Sequence, residues 1–378
     1  ETTQDWAEQT ATDHRYITLD TPSWLELSPP QTIDPSLHFS FRFERHIPLP
    51  GTFVAQIPQG RAWLSADQTS QAILTAENQL LGDLSAEFPL LSPGHPDKQV
   101  SKHSLFSHPK LPPLQSIQGK VAVLAGLTND MYFHWMFEVL PRLDLLHRSG
   151  IDFNEIDGFL VSDRLPFQQE TLVRLGIPQS KILTTEQHLH LQATELIVPS
   201  YPSTPAWMAP WVCDWLRRVF LSPELATDRQ NVEPQHEFDR VYISRAKTAN
   251  RRVINETELI EFLSPFGFQS ITLETLSVQE QASLLSRAKV VISPHGGGLT
   301  NTVFCQPGTK IIELFSPHYV YPCYWLISNL MHLDYFYLTG IMPEGMYLSR
   351  LFYPDVRLAD MLIDLQQLQA VLDRAGIQ

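Results

Sequence analysis

The sequence is short of cysteine, of basic residues and of long apolar runs, and each shortage removes a class of protein. Its three cysteines, Cys213, Cys305 and Cys323, are odd in number and lack metal-ligand spacing, which argues against a disulfide scaffold or a zinc site. Only 27 Lys and Arg stand against 41 Asp and Glu, a formal net charge of -14, so wholesale nucleic-acid binding is not expected. No apolar run reaches the ~18 residues that a membrane-crossing helix needs. There is no Asp-x-Asp, no Gly-Lys-Ser/Thr of a P-loop and no Gly-x-Ser-x-Gly elbow. What is present is a 43% hydrophobic content over 378 residues, enough for substantial cores in two or three domains. The chain opens at Glu1 rather than Met. A bacterial cytoplasmic location is expected, or the secretory-pathway lumen if an N-terminal signal or anchor was removed.

The segment Val290-Val291-Ile292-Ser293-Pro294-His295-Gly296-Gly297-Gly298-Leu299-Thr300-Asn301 predicts a strand, a glycine turn and a helix. A β-branched run stops at Pro294, and apolar Leu299, Val303 and Phe304 resume at roughly helical spacing. Such a turn aims backbone N–H groups and a helix dipole at an anion. Glycines let a phosphate approach the main chain. Asn301 stands where a dinucleotide fingerprint has its third glycine, so the turn points to a phosphate-bearing ligand without naming it. The plain alternative is a tight turn that holds no ligand. Around it, strands predicted at 240–244, 268–273, 289–292 and 310–314 alternate with helices at 256–263 and 278–288, the pattern of a parallel sheet covered on both faces. Ser244-Arg245, the His295 turn and Glu313 then fall at carboxyl ends of strands, where ligands of such sheets bind.

Arg240, Arg245, Lys247, Arg251 and Arg252 lie within thirteen residues of an otherwise acidic chain. The cluster suits a small anion held by guanidinium forks; the other reading is a solvated loop pairing with Glu256 and Glu258. In the first half, a strand at 121–124 precedes a helix from about Asp130 on which His134, Glu138 and Arg142 share one stripe at i, i+4 and i+8. Pro141 lacks an N–H, so the Phe137 carbonyl loses its partner and a kink is expected. A buried polar stripe is costly unless it faces a cleft; a Glu138–Arg142 surface pair is the alternative.

The first hundred residues read as short alternating strands broken by Gly60, Asp67 and Asn78, a small β-rich element with hairpins. A Pro-, Ser- and His-bearing connector runs from Ser92 to Pro113. Further strands are expected at 157–161 and 196–198, and helices at 167–175 and 207–220. The loop 199–210 is rich in Pro and aromatics, and the tyrosines and other aromatics from Phe315 to Tyr337 read mainly as core, with Tyr319 kept near the rim. At the end, Leu358, Met361, Leu362, Leu365, Leu368 and Leu372 form one apolar stripe, with Gly376 placed to stop the helix.

Taken in order, Val241-Tyr242-Ile243-Ser244-Arg245, Arg251-Arg252-Val253-Ile254-Asn255-Glu256, Ser293 to Asn301, and Ile311-Ile312-Glu313-Leu314 resemble glycosyltransferase family 61. Tyr132-Phe133-His134-Trp135 with Glu138 and Leu140-Pro141-Arg142-Leu143 extends the resemblance to about 120–340. Gly297, where many relatives carry alanine, is a conservative departure. The resemblance implies an α/β protein of GT-B architecture, two Rossmann-like halves facing a cleft. It implies an inverting, nucleotide-sugar-dependent transferase like the eukaryotic O-GlcNAc, plant xylosyl and arabinosyl enzymes and their bacterial polysaccharide relatives. The expected division is 1–115, a β-rich element and connector; 116–232, the acceptor half; 233–355, the donor half; and 356–378, a helix returning to the N-terminal half.

On that reading the co-substrate is a UDP-sugar, with xylose or GlcNAc-type sugars favoured, the acceptor is a glycan or protein hydroxyl, and no separate cofactor is needed. Donor-binding candidates are Ser244, Arg245, Arg251, His295, Gly296, Gly297, Gly298, Leu299, Thr300, Asn301 and Glu313. Glu313 is expected to take ribose hydroxyls. With no Asp-x-Asp, a metal's work would fall to Arg245, His295 and turn amides. His134 is the favoured general base and Glu138 the second candidate. A homodimer remains open. His295-Gly296-Gly297-Gly298 also matches an esterase oxyanion motif, but the nucleophile elbow that fold requires is missing. A non-catalytic nucleotide- or sugar-binding module is the remaining alternative.

Overall fold

The computed structural model describes residues 2–10, 15–42, 46–90, 95, 97, 99–222, 239–342, 351, 353 and 355–378. Part of the connector and the boundary expected at 232/233 lie outside the described residues. The chain forms two compact units, residues 1–24 with 48–215, and residues 25–47 with 216–378.

The first unit is built on a nine-stranded mixed sheet. Its strands are β1 (Tyr16–Asp20), β2 (Thr52–Pro58), β3 (Arg61–Leu64), β4 (Ser70–Leu74), β5 (Ala86–Glu87), β6 (Gln115–Val123), β7 (Gly158–Leu160), β8 (Ile182–Leu183) and β9 (His190–Pro199). The path β8-β7-β6-β9 is parallel, with Val121 opposite both Gly158 and Leu196. From β9 the sheet turns antiparallel, because β3 pairs with Leu191 and its neighbours while β2 pairs with the strand's second half. Strands from both sides of residue 115 therefore share one sheet, so the N-terminal β-rich stretch is not a separate element. They also share one core, in which Ile57, Leu64 and Ile73 are buried with Val121, Leu160 and Leu196. The alternation in residues 53–81 fits this: an antiparallel extension completes a parallel sheet that is too narrow to cover itself.

The second unit carries five parallel strands, β10 (Arg240–Ile243), β11 (Gln269–Ile271), β12 (Val290–Pro294), β13 (Lys310–Phe315) and β14 (Asp334–Thr339), in the order β11-β10-β12-β13-β14. The helix Glu256–Leu263 links β10 to β11, and Val278–Leu285 links β11 to β12. The latter starts on a capping box, Ser277 Oγ accepting from the Glu280 amide at 3.2 Å and Glu280 Oε2 from the Ser277 amide at 2.7 Å. Strand order reverses between β10 and β12, which puts a topological switch point at their carboxyl ends.

Two expectations fail in this unit. Residues 25–47 belong here rather than with the first unit: the Gln31 amide donates to the Tyr335 carbonyl at 3.0 Å, and Phe41 packs edge-on against Trp325. The C-terminal helix is shorter than its apolar stripe, Leu365–Arg374, and does not return to the N-terminal half. Leu368, Val371 and Leu372 are buried with Val253, Leu259 and Ile292 of the second unit. Met361 sits in a β-bridge with Val253, so the front of the stripe is extended chain. Period alone had fused a strand-like and a helical apolar run.

Candidate functional site

Arg245 follows β10 and His295 follows β12, so the switch point is where these two side chains belong. Arg245 is fixed through Nε and Nη2, which donate to the Asn250 carbonyl at 3.4 and 3.1 Å, and Nη2 also reaches Asn250 Oδ1 at 3.1 Å. Nη1 lies over Gly296: a Cβ there would stand 1.8 Å from it. Gly296 is thus required by a side chain of its own chain. Burial and neighbouring Arg251 lower the Arg245 guanidinium to about 10, which leaves it charged at neutral pH.

Arg251 is held in the left-handed region at φ 53°, its amide donating to the Leu358 carbonyl at 3.1 Å. Such a conformation costs on the order of 1–3 kcal/mol in a non-glycine residue and has to be overdetermined by its surroundings. Its guanidinium lies 5.1 Å over the Tyr319 ring, with Nε buried and unpaired. Among the described residues, neither Arg245 nor Arg251 forms an ion pair with a carboxylate. Arg252 by contrast is locked to Asp360 at 2.7 and 3.0 Å. Arg240 caps the Phe266 carbonyl at 2.7 Å. Of the basic cluster, Arg240 and Arg252 therefore serve the fold.

His295 is buried against Phe315, Tyr319 and Tyr324, at ring distances of 5.2, 5.1 and 5.1 Å. Its Nδ1 hydrogen-bonds Glu313 Oε1, and the Tyr335 hydroxyl donates to Glu313 Oε2 at 2.5 Å. This occupies both carboxyl oxygens of a residue that is 0% exposed, so the expected ribose contact by Glu313 is ruled out. The pairing follows from strand register: Ser293 lies opposite Glu313 across β12 and β13. Burial holds the Glu313 carboxyl well above the usual carboxylate range and His295 well below that of a free imidazole, with Arg251 and Arg245 adding to the latter. Both shifts favour the uncharged forms. With Tyr335 donating to Oε2, a protonated Glu313 would carry its hydrogen on Oε1 and donate it to Nδ1, leaving the ring hydrogen on Nε2.

The glycine turn leads into a 3-10 helix, Gly297–Phe304, and not an α-helix. The Leu299 amide closes on the Gly296 carbonyl at 3.0 Å, leaving Gly297 and Gly298 as the opening amides, which have no intrahelical acceptor. Leu299, Thr300 and Asn301 are buried, and Asn301 Nδ2 donates to Gln281 Oε1 at 2.7 Å, so this part of the motif anchors the turn. Ser244 is also internal: its Oγ donates to Glu256 Oε1 at 2.9 Å and accepts the Ala246 amide at 3.1 Å. Asn250, Phe315 and Tyr335 were missed, since nothing local in the sequence reports a side chain that supports another.

In the first unit, a short helical start at Tyr132–His134 passes into a π-helical turn, Trp135–Val139, before the α-helix Pro141–Arg148. The Leu140 amide reaches back to the Trp135 carbonyl at 3.0 Å, a wide turn that relieves the clash Pro141 would otherwise make. His134 Nδ1 and Glu138 Oε1 are 2.7 Å apart, both residues buried, so this is no surface pair. Glu138 Oε1 also accepts the Ala206 amide at 2.7 Å, while Oε2 is buried without a partner. Ala206 is held at φ 68°, a second non-glycine residue in the left-handed region beside a candidate site residue. Arg142 turns away, donating to the Leu124 and Ala125 carbonyls at 3.3 and 2.6 Å and stacking 4.0 Å from the Tyr201 ring.

A switch-point rim with two arginines that meet no carboxylate among the described residues, and a buried histidine hydrogen-bonded to a buried glutamate, characterise this α/β protein. Residues 132–312, just under half of the chain, match the family model Glycosyltransferase 61. It is 31% identical over 135 residues to protein O-linked-mannose beta-1,4-N-acetylglucosaminyltransferase 2 of Homo sapiens, covering 33% of this chain and 23% of that one. It is 40% identical over 60 residues to beta-1,2-xylosyltransferase RCN11 of Oryza sativa subsp. japonica, covering 16% and 11%. The chain thus spans under a quarter of the length of these curated relatives. A solved bacterial iron-containing dodecameric glycosyltransferase, TibC of enterotoxigenic E. coli, overlays 93% of this chain and 99% of its own at 12% identity, with a TM-score of 0.30 that is too low to inform the fold. Among the described residues no helix is long and apolar enough to cross a membrane.

Proposed function

We propose that this chain is an inverting glycosyltransferase of GT-B type that moves a sugar, xylose or GlcNAc-type, from a UDP-sugar to a hydroxyl of a glycan or protein acceptor without a metal. The observation that carries the reading is the half-buried Arg245–Arg251 pair, lacking carboxylate partners among the described residues, at the switch point of a chain that matches the family 61 model. Two half-buried guanidinium groups that repel each other are favoured by an anion placed between them, and a diphosphate is the anion that family donors carry. As the bond from the anomeric carbon to the diphosphate breaks, charge gathers on the leaving oxygen. Arg245, Arg251, the His295 Nε2–H and the Gly297 and Gly298 amides are the fixed donors that stabilise it.

The attacking hydroxyl must lose its proton. His134 is the base: Glu138 takes the Nδ1 hydrogen, which leaves Nε2 as the acceptor. UDP binding tests the assignment. Arg245→Ala is expected to weaken it by about 1.5–3 kcal/mol, the range of charge-assisted hydrogen bonds, and a folded variant with unchanged UDP affinity would sink it. Transfer from the cognate donor in excess EDTA is expected to keep most of its rate; abolition by EDTA and rescue by Mn²⁺ would contradict the metal-free mechanism.

A further inference from the structure

A concave pocket of about 490 Å³ lies wholly within the first unit. Its wall includes Phe53, Phe88, Tyr201, Ser203, Glu87 and Asp97, and no lysine or arginine lines it among the described residues. Asp97 is paired with Lys102 at 2.8 Å, and the carboxylates of Asp83 and Glu87 make this wall a poor place for a nucleotide or any phosphate. What remains is apolar ring surface beside hydrogen-bonding groups. Phe88 is 37% exposed, and its ring is available to a ligand. Ser203 lines the cavity at 4% exposed and its Oγ has no hydrogen-bond partner, so turning that hydroxyl toward the cavity would let a ligand hydroxyl pair with it. A pyranose suits both features, since it presents C–H groups on one face and hydroxyls around its edge.

The pocket is also tied to the candidate base. The run from Ser200 to Pro205 forms one side of it, and the next amide, Ala206, is the one that Glu138 accepts at 2.7 Å. Further back on the same run, the Tyr201 ring lies 4.0 Å from the Arg142 guanidinium and its hydroxyl donates to Gln71 at 3.0 Å. One strand of chain thus lines the pocket and touches two residues of the helical stripe. We propose that this pocket is a saccharide-binding site that takes a neutral, hydroxyl-rich ring of the acceptor. The identification of that ring as acceptor rests on the transferase reading above; the pocket's taste for neutral sugar does not.

Saturation-transfer NMR on the whole chain tests it, using methyl α-D-mannopyranoside, methyl β-D-glucopyranoside and methyl β-D-xylopyranoside as probes. Transfer to ring protons of at least one glycoside is expected, and UDP should not displace it. Phe88→Ala is expected to weaken binding by roughly two- to tenfold, the worth of one aromatic contact, and Ser203→Ala to weaken it as well. Silence from all three glycosides, or binding untouched by both substitutions, overturns the proposal. Displacement of the glycosides by a short N-acetylated, C-amidated serine peptide would assign the pocket to peptide and overturn it too. The UDP-induced thermal shift of the same samples verifies folding and separates the two claims: a UDP shift with silent glycosides rejects this pocket alone, whereas no UDP shift rejects the donor assignment.

Discussion

Two buried histidine–glutamate pairs, one in each unit, join the same atoms, His Nδ1 to Glu Oε1, yet their surroundings differ, and the proposed mechanism gives them opposite tasks. His134 and Glu138 are four residues apart on a π-helical turn, and one glutamate oxygen has no partner. His295 and Glu313 come from adjacent parallel strands, and both glutamate oxygens are taken. Burial, with Arg251 and Arg245 beside the second pair, opposes protonation of His295, while burial favours the protonated form of Glu313. A neutral imidazole with its hydrogen on Nε2 is a donor, suited to an oxyanion. An imidazole whose Nδ1 hydrogen goes to a carboxylate is an acceptor at Nε2, suited to taking a proton. The residue types are identical; neighbouring charge and the use of the last carboxyl oxygen decide the chemistry.

The comparison breaks most readily at Glu138. Glu138→Gln keeps the shape but removes the charge that favours the Nδ1–H tautomer, so kcat is expected to fall by about 10²–10⁴-fold, the worth of general-base catalysis. UDP affinity should hold; steady-state rates with a cognate donor, alongside UDP titration, check both. A smaller loss is expected from Gly296→Ala, whose Cβ would meet Arg245 Nη1 at 1.8 Å and push it off its position. UDP affinity then falls by up to roughly the 1.5–3 kcal/mol assigned to the arginine. An Arg245→Ala, Gly296→Ala double variant should lose little more than either alone, as expected of residues in contact.

The smallest effect concerns stability. Glu313 keeps its proton in the folded state above the pH at which an unfolded glutamate loses it. Its contribution is therefore fully present below about pH 4.3, the unfolded value, and declines as pH rises. The slope contributed is at most about 1.4 kcal/mol per pH unit. Glu313→Gln should flatten this decline, so that the variant gains on the native chain as pH is raised. Parallel melting curves across that range provide the check, and equal pH slopes would show that Glu313 ionises normally.

Much of this was legible in the sequence where the physics is local. The helix Glu256–Leu263 was placed with its observed bounds, and the alternation around it foretold the parallel sheet of the second unit. The i, i+4 spacing brought His134 to Glu138 correctly. Strand register was not legible, so Glu313 was assigned to a ribose instead of to His295. Nor could spacing show that Gly296 makes room for Arg245. The stripe at 358–372 misled because an apolar period does not say which sheet it meets, and Met361 proved to be bridged to Val253. Pro141 signalled a disturbance, but the wide turn that absorbs it depends on the Leu140 amide finding the Trp135 carbonyl.

The most direct test of the division of labour measures kcat and UDP-sugar affinity for His134→Ala and Arg245→Ala side by side. The account expects a double dissociation: His134→Ala loses about 10²–10⁴-fold in turnover and keeps its donor affinity, while Arg245→Ala loses donor affinity. Near-normal turnover in His134→Ala, or lost donor affinity in that variant with unchanged affinity in Arg245→Ala, would contradict it.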